Sequence, residues 1–201
     1  MSGHDDIYQL PPDLPIPIGD GACDHLLGMI VPLVPLLSTA GRSVMLKEEP
    51  GTSVVFCYPR TGIPGEALPS GWDDIPGARG CTPEACGFRD HYSDLRALGA
   101  TVFGLSTQST DYQRAMAQRL RLPYEILSDE NLSVTTALRL PTFQVEDVTL
   151  LKRFTLVLRN GIIRHVFYPI FPTDRHAEEV VGWLRSTASS VATGGLRAEQ
   201  S

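Results

Sequence analysis

The sequence lacks any apolar run approaching the roughly 18 residues that a membrane-spanning helix needs. Its longest candidate, Leu26 to Leu37, is shorter and is interrupted by Pro32 and Pro35. No membrane partner is expected. The opening MSGHDDIYQL is acidic and has no basic segment, so no signal peptide is expected and the chain is placed in the cytoplasm. Basic charge is also in short supply. Seventeen Lys and Arg stand against 23 Asp and Glu, for a net charge of -6. That balance disfavours nucleic acid or anionic lipid as a partner.

Cysteine is scarce as well, with four in 201 residues: Cys23, Cys57, Cys81 and Cys86. There is no C-x-x-C and no H-x-x-x-H, so the spacings do not suit zinc, and no metal or other cofactor is expected. In a reducing compartment a pair of thiols points to catalysis or redox sensing rather than to a structural crosslink. No internal repeat is visible, and no second domain is expected. The composition, 42% hydrophobic and 20% charged, fits one soluble globular domain with a sizeable core.

Residues 1–30 are rich in Pro, Asp and Gly and predict an extended N-terminal arm. The domain proper is expected over 31–186, followed by a small, polar, disordered tail over 187–201. Val31 to Leu46 suits a hairpin around STAGRS. Ser53 to Tyr58, SVVFCY, is a buried central strand ended by Pro59. Residues 60–80 form a long loop rich in proline and glycine, either functional or a surface insertion.

A helix is expected from Thr82 to about Leu98. Pro83 suits the first turn, Glu84 places negative charge there, and Ala85, Phe88, Tyr92 and Leu95 mark an apolar face. Gly99 ends it. TVFGLS (101–106) is a strand, and Thr110-x-x-Gln113 suggests a capping box for a helix to Leu120. A short strand over 124–127 and a short helix over 131–138 follow. Arg153–Leu158 and Ile162–Phe167 flank Asn160-Gly161, a strong hairpin signal. Thr173 or Asp174 caps a last helix to Leu184, with Trp183 as its core anchor. The order β-α-β-α-β-α-β-β-α predicts an α/β fold, a mixed central sheet with helices on both faces.

Cys81 lies at the predicted helix start, where unpaired N–H groups and the helix dipole lower a thiol's pKa. A thiolate so placed attacks peroxides and becomes a sulfenic acid, which a second thiol can trap as a disulfide. Cys86 is the obvious second thiol, yet five helical residues give about 7.5 Å of rise and roughly 500° of rotation. That exceeds disulfide reach. Either the first turn unwinds in each cycle, or Cys86 is a small buried hydrophobe.

Four pieces of sequence carry a resemblance: VVFCYP (54–59), GCTPEACGFRDHYSDLRALGATVFGLST (80–107), LPYEILSDEN (122–131) and LLKRFTLVLRNGIIRHVFY (150–168). Together they resemble the peroxiredoxins, specifically the PrxQ or bacterioferritin-comigratory-protein group, over roughly residues 30–185. The resemblance implies a thioredoxin-like fold and a peroxidatic Cys81, with Cys86 matching the resolving cysteine of members whose helix unwinds. It implies that Arg153 holds the thiolate and polarises the peroxide, a task suited to a permanently charged guanidinium. Pro59 matches the proline that opens the active-site loop. The substrates implied are hydrogen peroxide or an alkyl hydroperoxide, with thioredoxin or glutaredoxin as reductant, in a monomer or homodimer.

One departure from the family pattern P-x-x-x-T-x-x-C stands out. Here 22 positions separate Pro59 from Cys81, and Ala78 occupies the threonine position. Thr61 and Thr82 are the candidates to replace the missing hydroxyl. Glu84 is expected to cap the helix or to help move the proton, and Arg89-Asp90 to form a structural ion pair or to brace the active site. Cys57 is expected to be inert core, and Cys23 a possible second reactive thiol beside His25. His4, His91, His165 and His176 are taken as surface or structural. Two other functions stay open: a one-cysteine peroxidase recycled by glutathione or glutaredoxin, and a catalytically weak redox sensor or binding protein.

Overall fold

The computed structural model describes residues 10–195, with side chains described through Ser189. His4, most of the opening decapeptide and the last six residues lie outside it. Nine strands and five α-helices follow one another among the described residues. The β-rich run after Gly51 forms β3 (Thr52–Cys57), buried along nearly its whole length. It pairs parallel with β4 (Ala100–Ser106) and antiparallel with β8 (Phe154–Arg159). β4 continues to β5 (Glu125–Ser128), then to the hairpin of β1 (Leu36–Ser38) and β2 (Ser43–Val44). β9 (Ile162–Phe167) closes the other edge, giving the order β2-β1-β5-β4-β3-β8-β9. The Asn160-Gly161 turn forms as expected, with both residues at positive φ (50° and 72°).

The alternation of β3 sorts its side chains between two cores. Val54, Phe56 and Tyr58 face α1 (Cys81–Asp90), α3 (Thr110–Leu120) and α5 (His176–Gly195). Val55 and Cys57 face the opposite way, toward α4 (Ser133–Leu138) and the arm. Phe56 stacks on Phe88 of α1 at 4.4 Å between ring centres. Burying such a ring contributes about 1.5–3 kcal/mol, so this contact is a main anchor of α1 on the sheet.

Several expectations are corrected. The helix expected to run from Thr82 to Leu98 is two, α1 and α2 (Tyr92–Ala97), separated at His91. The cap of α3 is Ser109, whose hydroxyl accepts from the Tyr112 N–H, and not Thr110. Gln113, the presumed partner in a capping box, is buried and accepts from the Tyr58 hydroxyl at 2.8 Å. Trp183 is only partly buried and stacks on His165; Ala177, Val180, Val181 and Leu184 anchor α5 instead. That helix runs to Gly195, past the point at which a disordered tail was expected.

The sequence reading missed a two-stranded ribbon, β6 (Thr142–Val145) with β7 (Val148–Leu151). The arm is largely extended but is laid down on the domain. Gly28 and Val31 donate their N–H groups to Ile163 and Gly161 at the β9 edge, each at 2.9 Å. A short 3-10 turn at Asp24–Leu26 buries Cys23 and Leu26. Lys152 and Tyr168 hold Asp20 from the domain side. No helix of the described residues is long and apolar enough to cross a membrane.

Candidate active site

Cys81 is the first residue of α1 and is 4% exposed. Gly80 before it has φ +103°, a conformation that side chains resist. A Cβ there would also run into Thr173 and Leu10. Only glycine fits this junction, and it sets the direction in which α1 leaves the loop.

Cys57 of β3 pairs with Phe154, so Arg153 enters one step beyond the end of β3, beside the loop that leads to Cys81. Its guanidinium is fully buried and spends its donors on one cluster. Nε donates to the Gly77 carbonyl at 3.1 Å. Nη2 faces the Ala78 and Arg79 carbonyls at 3.3 and 3.2 Å and the Cys81 sulfur at 3.0 Å. Nη1 is paired with the Glu84 carboxylate. Arg153 therefore ties together the end of the loop, the thiol and the first turn of α1.

Burial is the largest influence on the Cys81 thiol and pushes it above its ordinary value. Arg153 and the Arg60 N–H pull it down, while the Glu84 carboxylate pushes it up. The expectation of a lowered thiol is thus corrected for the closed, reduced site. Sequence alone reveals the helix start but neither the depth of burial nor the buried carboxylate beside it. Burial likewise raises Glu84, against Arg153 and the buried His176. One Glu84 oxygen has no hydrogen-bond partner.

Arg60, Thr61, Thr82 and Ala78 all border a space of about 20 Å³ at the sulfur. Leu68 and Trp72 of the long loop also line it. Pro59 and Glu84 are not part of that lining. Pro59 is buried and its carbonyl accepts from Ser106; Glu84 stands behind Arg153. Thr61 is held by Gln108, whose amide oxygen accepts from the Thr61 N–H at 2.9 Å. A roomier cavity of about 390 Å³ lies between the arm, Ile75–Gly77 and Tyr168–Ile170. It has Arg153 in its wall but not Cys81.

Cys86 is half-buried on the same unbroken helix, and all four cysteines are free thiols. Burial raises the Cys86 thiol and Arg89 counters it. Cys23 and Cys57 belong to the opposite core from Cys81. Burial pushes Cys23 up to about 12 and Cys57 well above its ordinary value. Arg89 pairs with Asp90 and also donates to the Leu120 carbonyl, a bracing arrangement.

A family model described as Redoxin matches residues 26–181. Peroxiredoxin Q, chloroplastic, from Suaeda salsa is 33% identical over 161 residues, 79% of this chain and 67% of that protein. The chain belongs to the redoxin family, in its peroxiredoxin Q group. Its namesake from Gentiana triflora is 32% identical, so the chain spans about two thirds of the length of these relatives. Among solved structures, peroxidoxin BcpB from Mycobacterium tuberculosis superposes with a TM-score of 0.63 at 26% identity, covering 80% of this chain and 96% of that one. A PrxQ from Xylella fastidiosa gives 0.65 at 19% identity, covering 81% and 96%, a likeness of fold. The thioredoxin-like fold expected from sequence is thereby established. Membership makes this peroxiredoxin an oxidoreductase of the thiol-peroxidase kind.

The residues that sequence reasoning missed are those brought in by tertiary structure. The Arg60 N–H reaches the sulfur, Gln108 and Tyr112 fix Thr61, and Trp72 and Leu68 line the space at the sulfur. Only Trp72 carried a signal, as the lone aromatic of the 60–80 loop.

Proposed function

We propose that this peroxiredoxin is a two-cysteine peroxidase recycled by thioredoxin. The observation that carries this reading is the Arg153 Nη2 to Cys81 Sγ contact of 3.0 Å at the start of α1, with Cys86 on the same helix. The Cys81 thiolate attacks one oxygen of hydrogen peroxide or an alkyl hydroperoxide. The O–O bond breaks, Cys81 becomes a sulfenic acid, and the departing oxygen takes a proton to leave as water or alcohol. Arg153 lends charge to the thiolate and to the oxygens as the bond lengthens. Thr61 and Thr82 supply the hydroxyls of the pocket, Pro59 opens its loop, and Glu84 positions Arg153.

The first turns of α1 then melt. The Cys86 sulfur attacks the sulfenic acid, water leaves, and a Cys81–Cys86 disulfide forms. Thioredoxin reduces it by thiol–disulfide exchange. We place the chain in the cytoplasm, although the relatives from Suaeda salsa and Gentiana triflora carry the word chloroplastic in their names.

A second reading draws on the unbroken α1, which separates the two thiols: the sulfenic acid would be resolved by glutathione or glutaredoxin. Hydrogen peroxide turnover with thioredoxin and its reductase tests both. Cys81→Ser is expected to abolish turnover, and Cys86→Ser to cut thioredoxin-dependent turnover at least tenfold. Full thioredoxin-dependent turnover in Cys86→Ser would overturn the first reading.

A further inference from the structure

The segment from Gly62 to Ala78, which lengthens the active-site loop, is built into the domain rather than spread over its surface. Trp72 is 3% exposed and packs with Ala78 and Leu150, with Leu68, Ile75, Phe143 and Val145 around them. Phe143, Val145 and Leu150 belong to the β6–β7 ribbon, so the insertion and the ribbon share a small core of their own. The Trp72 and Phe143 rings lie 6.3 Å apart. Asp73 pairs with the buried Arg79 at 3.1 Å, and Arg153 holds the three carbonyls at the loop's end. The insertion is fixed at both the ribbon and the thiol.

This anchoring matters because of what the insertion turns toward the sulfur. The space there is about 20 Å³, and its apolar wall is Leu68 and Trp72. A single water needs about 10–15 Å³ measured the same way. A peroxide of two bare oxygens is accommodated with little movement. An alkyl substituent adds carbon atoms each as large as a water oxygen, and those that lie against this wall press on Leu68 or Trp72. Displacing Trp72 breaks up the shared core, and well-packed interiors resist such changes.

We propose that the insertion, through Leu68 and Trp72, makes Cys81 selective for hydrogen peroxide over bulky organic hydroperoxides. This rests on the peroxidase reading and adds the substrate class to it. Leu68 and Trp72 are specificity residues: they set which peroxide reaches the sulfur and take no part in bond-making.

The test is the second-order rate of Cys81 oxidation in the full-length reduced protein, with hydrogen peroxide and with cumene hydroperoxide, followed by rapid quench and intact mass. Wild type is expected to prefer hydrogen peroxide at least tenfold. Leu68→Ala and Trp72→Ala are each expected to reduce that preference severalfold or more. Trp72→Ala opens the shared core and its fold is checked by circular dichroism; Leu68, only half-buried, is the variant on which the test stands if Trp72→Ala fails to fold. Equal wild-type rates with the two peroxides, or a preference unchanged in Leu68→Ala, would overturn the size filter while leaving the peroxidase reading intact. If neither peroxide oxidises Cys81 faster than an ordinary thiol, the peroxidase reading itself fails and the filter falls with it.

Discussion

Tyr124→Phe is expected to speed disulfide formation without changing the reaction with peroxide. The buried Tyr124 hydroxyl donates to the Ala85 carbonyl at 2.6 Å. Ala85 lies between Cys81 and Cys86, inside the stretch that has to melt before the sulfurs can meet. Melting would strand that hydroxyl without its partner, so the bond acts as a latch on the closed helix. A net hydrogen bond is worth about 1 kcal/mol. Removing it should raise the population of the melted helix, and with it the rate of disulfide formation, about 5-fold. Tyr124 does not border the space at the sulfur, so sulfenic acid should form at the wild-type rate. The assay is single-turnover oxidation by hydrogen peroxide, quenched with an alkylating agent and resolved by mass. An unchanged or slower disulfide step, with peroxide reactivity intact, would refute a resolution step gated by this latch.

Gly87→Ala should act in the opposite sense. Its Cβ would meet the Ala177 Cβ at 3.5 Å, an ordinary contact, while alanine stabilises a helix by about 0.8–1 kcal/mol over glycine. The same quench assay should show disulfide formation slowed severalfold. Glu84→Gln removes a carboxylate that pushes the Cys81 thiol up and leaves the thiolate as Arg153's counter-ion. Because the thiolate is the reactant, the rate climbs as pH rises through the Cys81 midpoint. That midpoint should move to lower pH in Glu84→Gln and to higher pH in Arg153→Met, read from thiolate absorbance. Arg153→Met also leaves a buried carboxylate unpaired and should cost about 3–5 kcal/mol in urea unfolding, part of it recovered in the double variant with Glu84→Gln. Gly80→Ala forces a side chain into positive φ against Thr173 and should cost about 1–3 kcal/mol by the same measurement.

Elements whose local chemistry agreed with their place in the fold were legible in the sequence. SVVFCY read as a central strand because both of its faces are buried, one by α1 and the other by the arm and α4. Asn160-Gly161 read as a turn because both residues tolerate the φ they adopt. The β6–β7 ribbon was illegible for the converse reason. Its turn places Glu146, not glycine or asparagine, at φ 53°, and tertiary packing against the insertion holds it there. The break at His91 likewise has no glycine or proline to announce it.

At the site, helix-start position and spacing brought Cys81 and Cys86 into view, and the family resemblance brought in Arg153. The approach of Arg153 to the sulfur depends on strand register across 72 residues of chain. The apolar wall of Leu68 and Trp72 depends on a loop whose folding comes from its contacts rather than from any periodicity. Cys23 shows the limit of local reasoning. Its neighbours Asp24 and His25 suggested reactivity, but the 3-10 turn buries it. The structure places it in the core opposite Cys81.

The central claim is that Cys81 and Cys86 form one redox couple through a local melt of α1. Peptide mapping by mass spectrometry, after reduced protein meets one equivalent of hydrogen peroxide, tests it most directly. The account predicts a peptide crosslinked between Cys81 and Cys86, with Cys23 and Cys57 still reduced. A lasting sulfenic acid at Cys81 with Cys86 free, or a crosslink to Cys23, would contradict it.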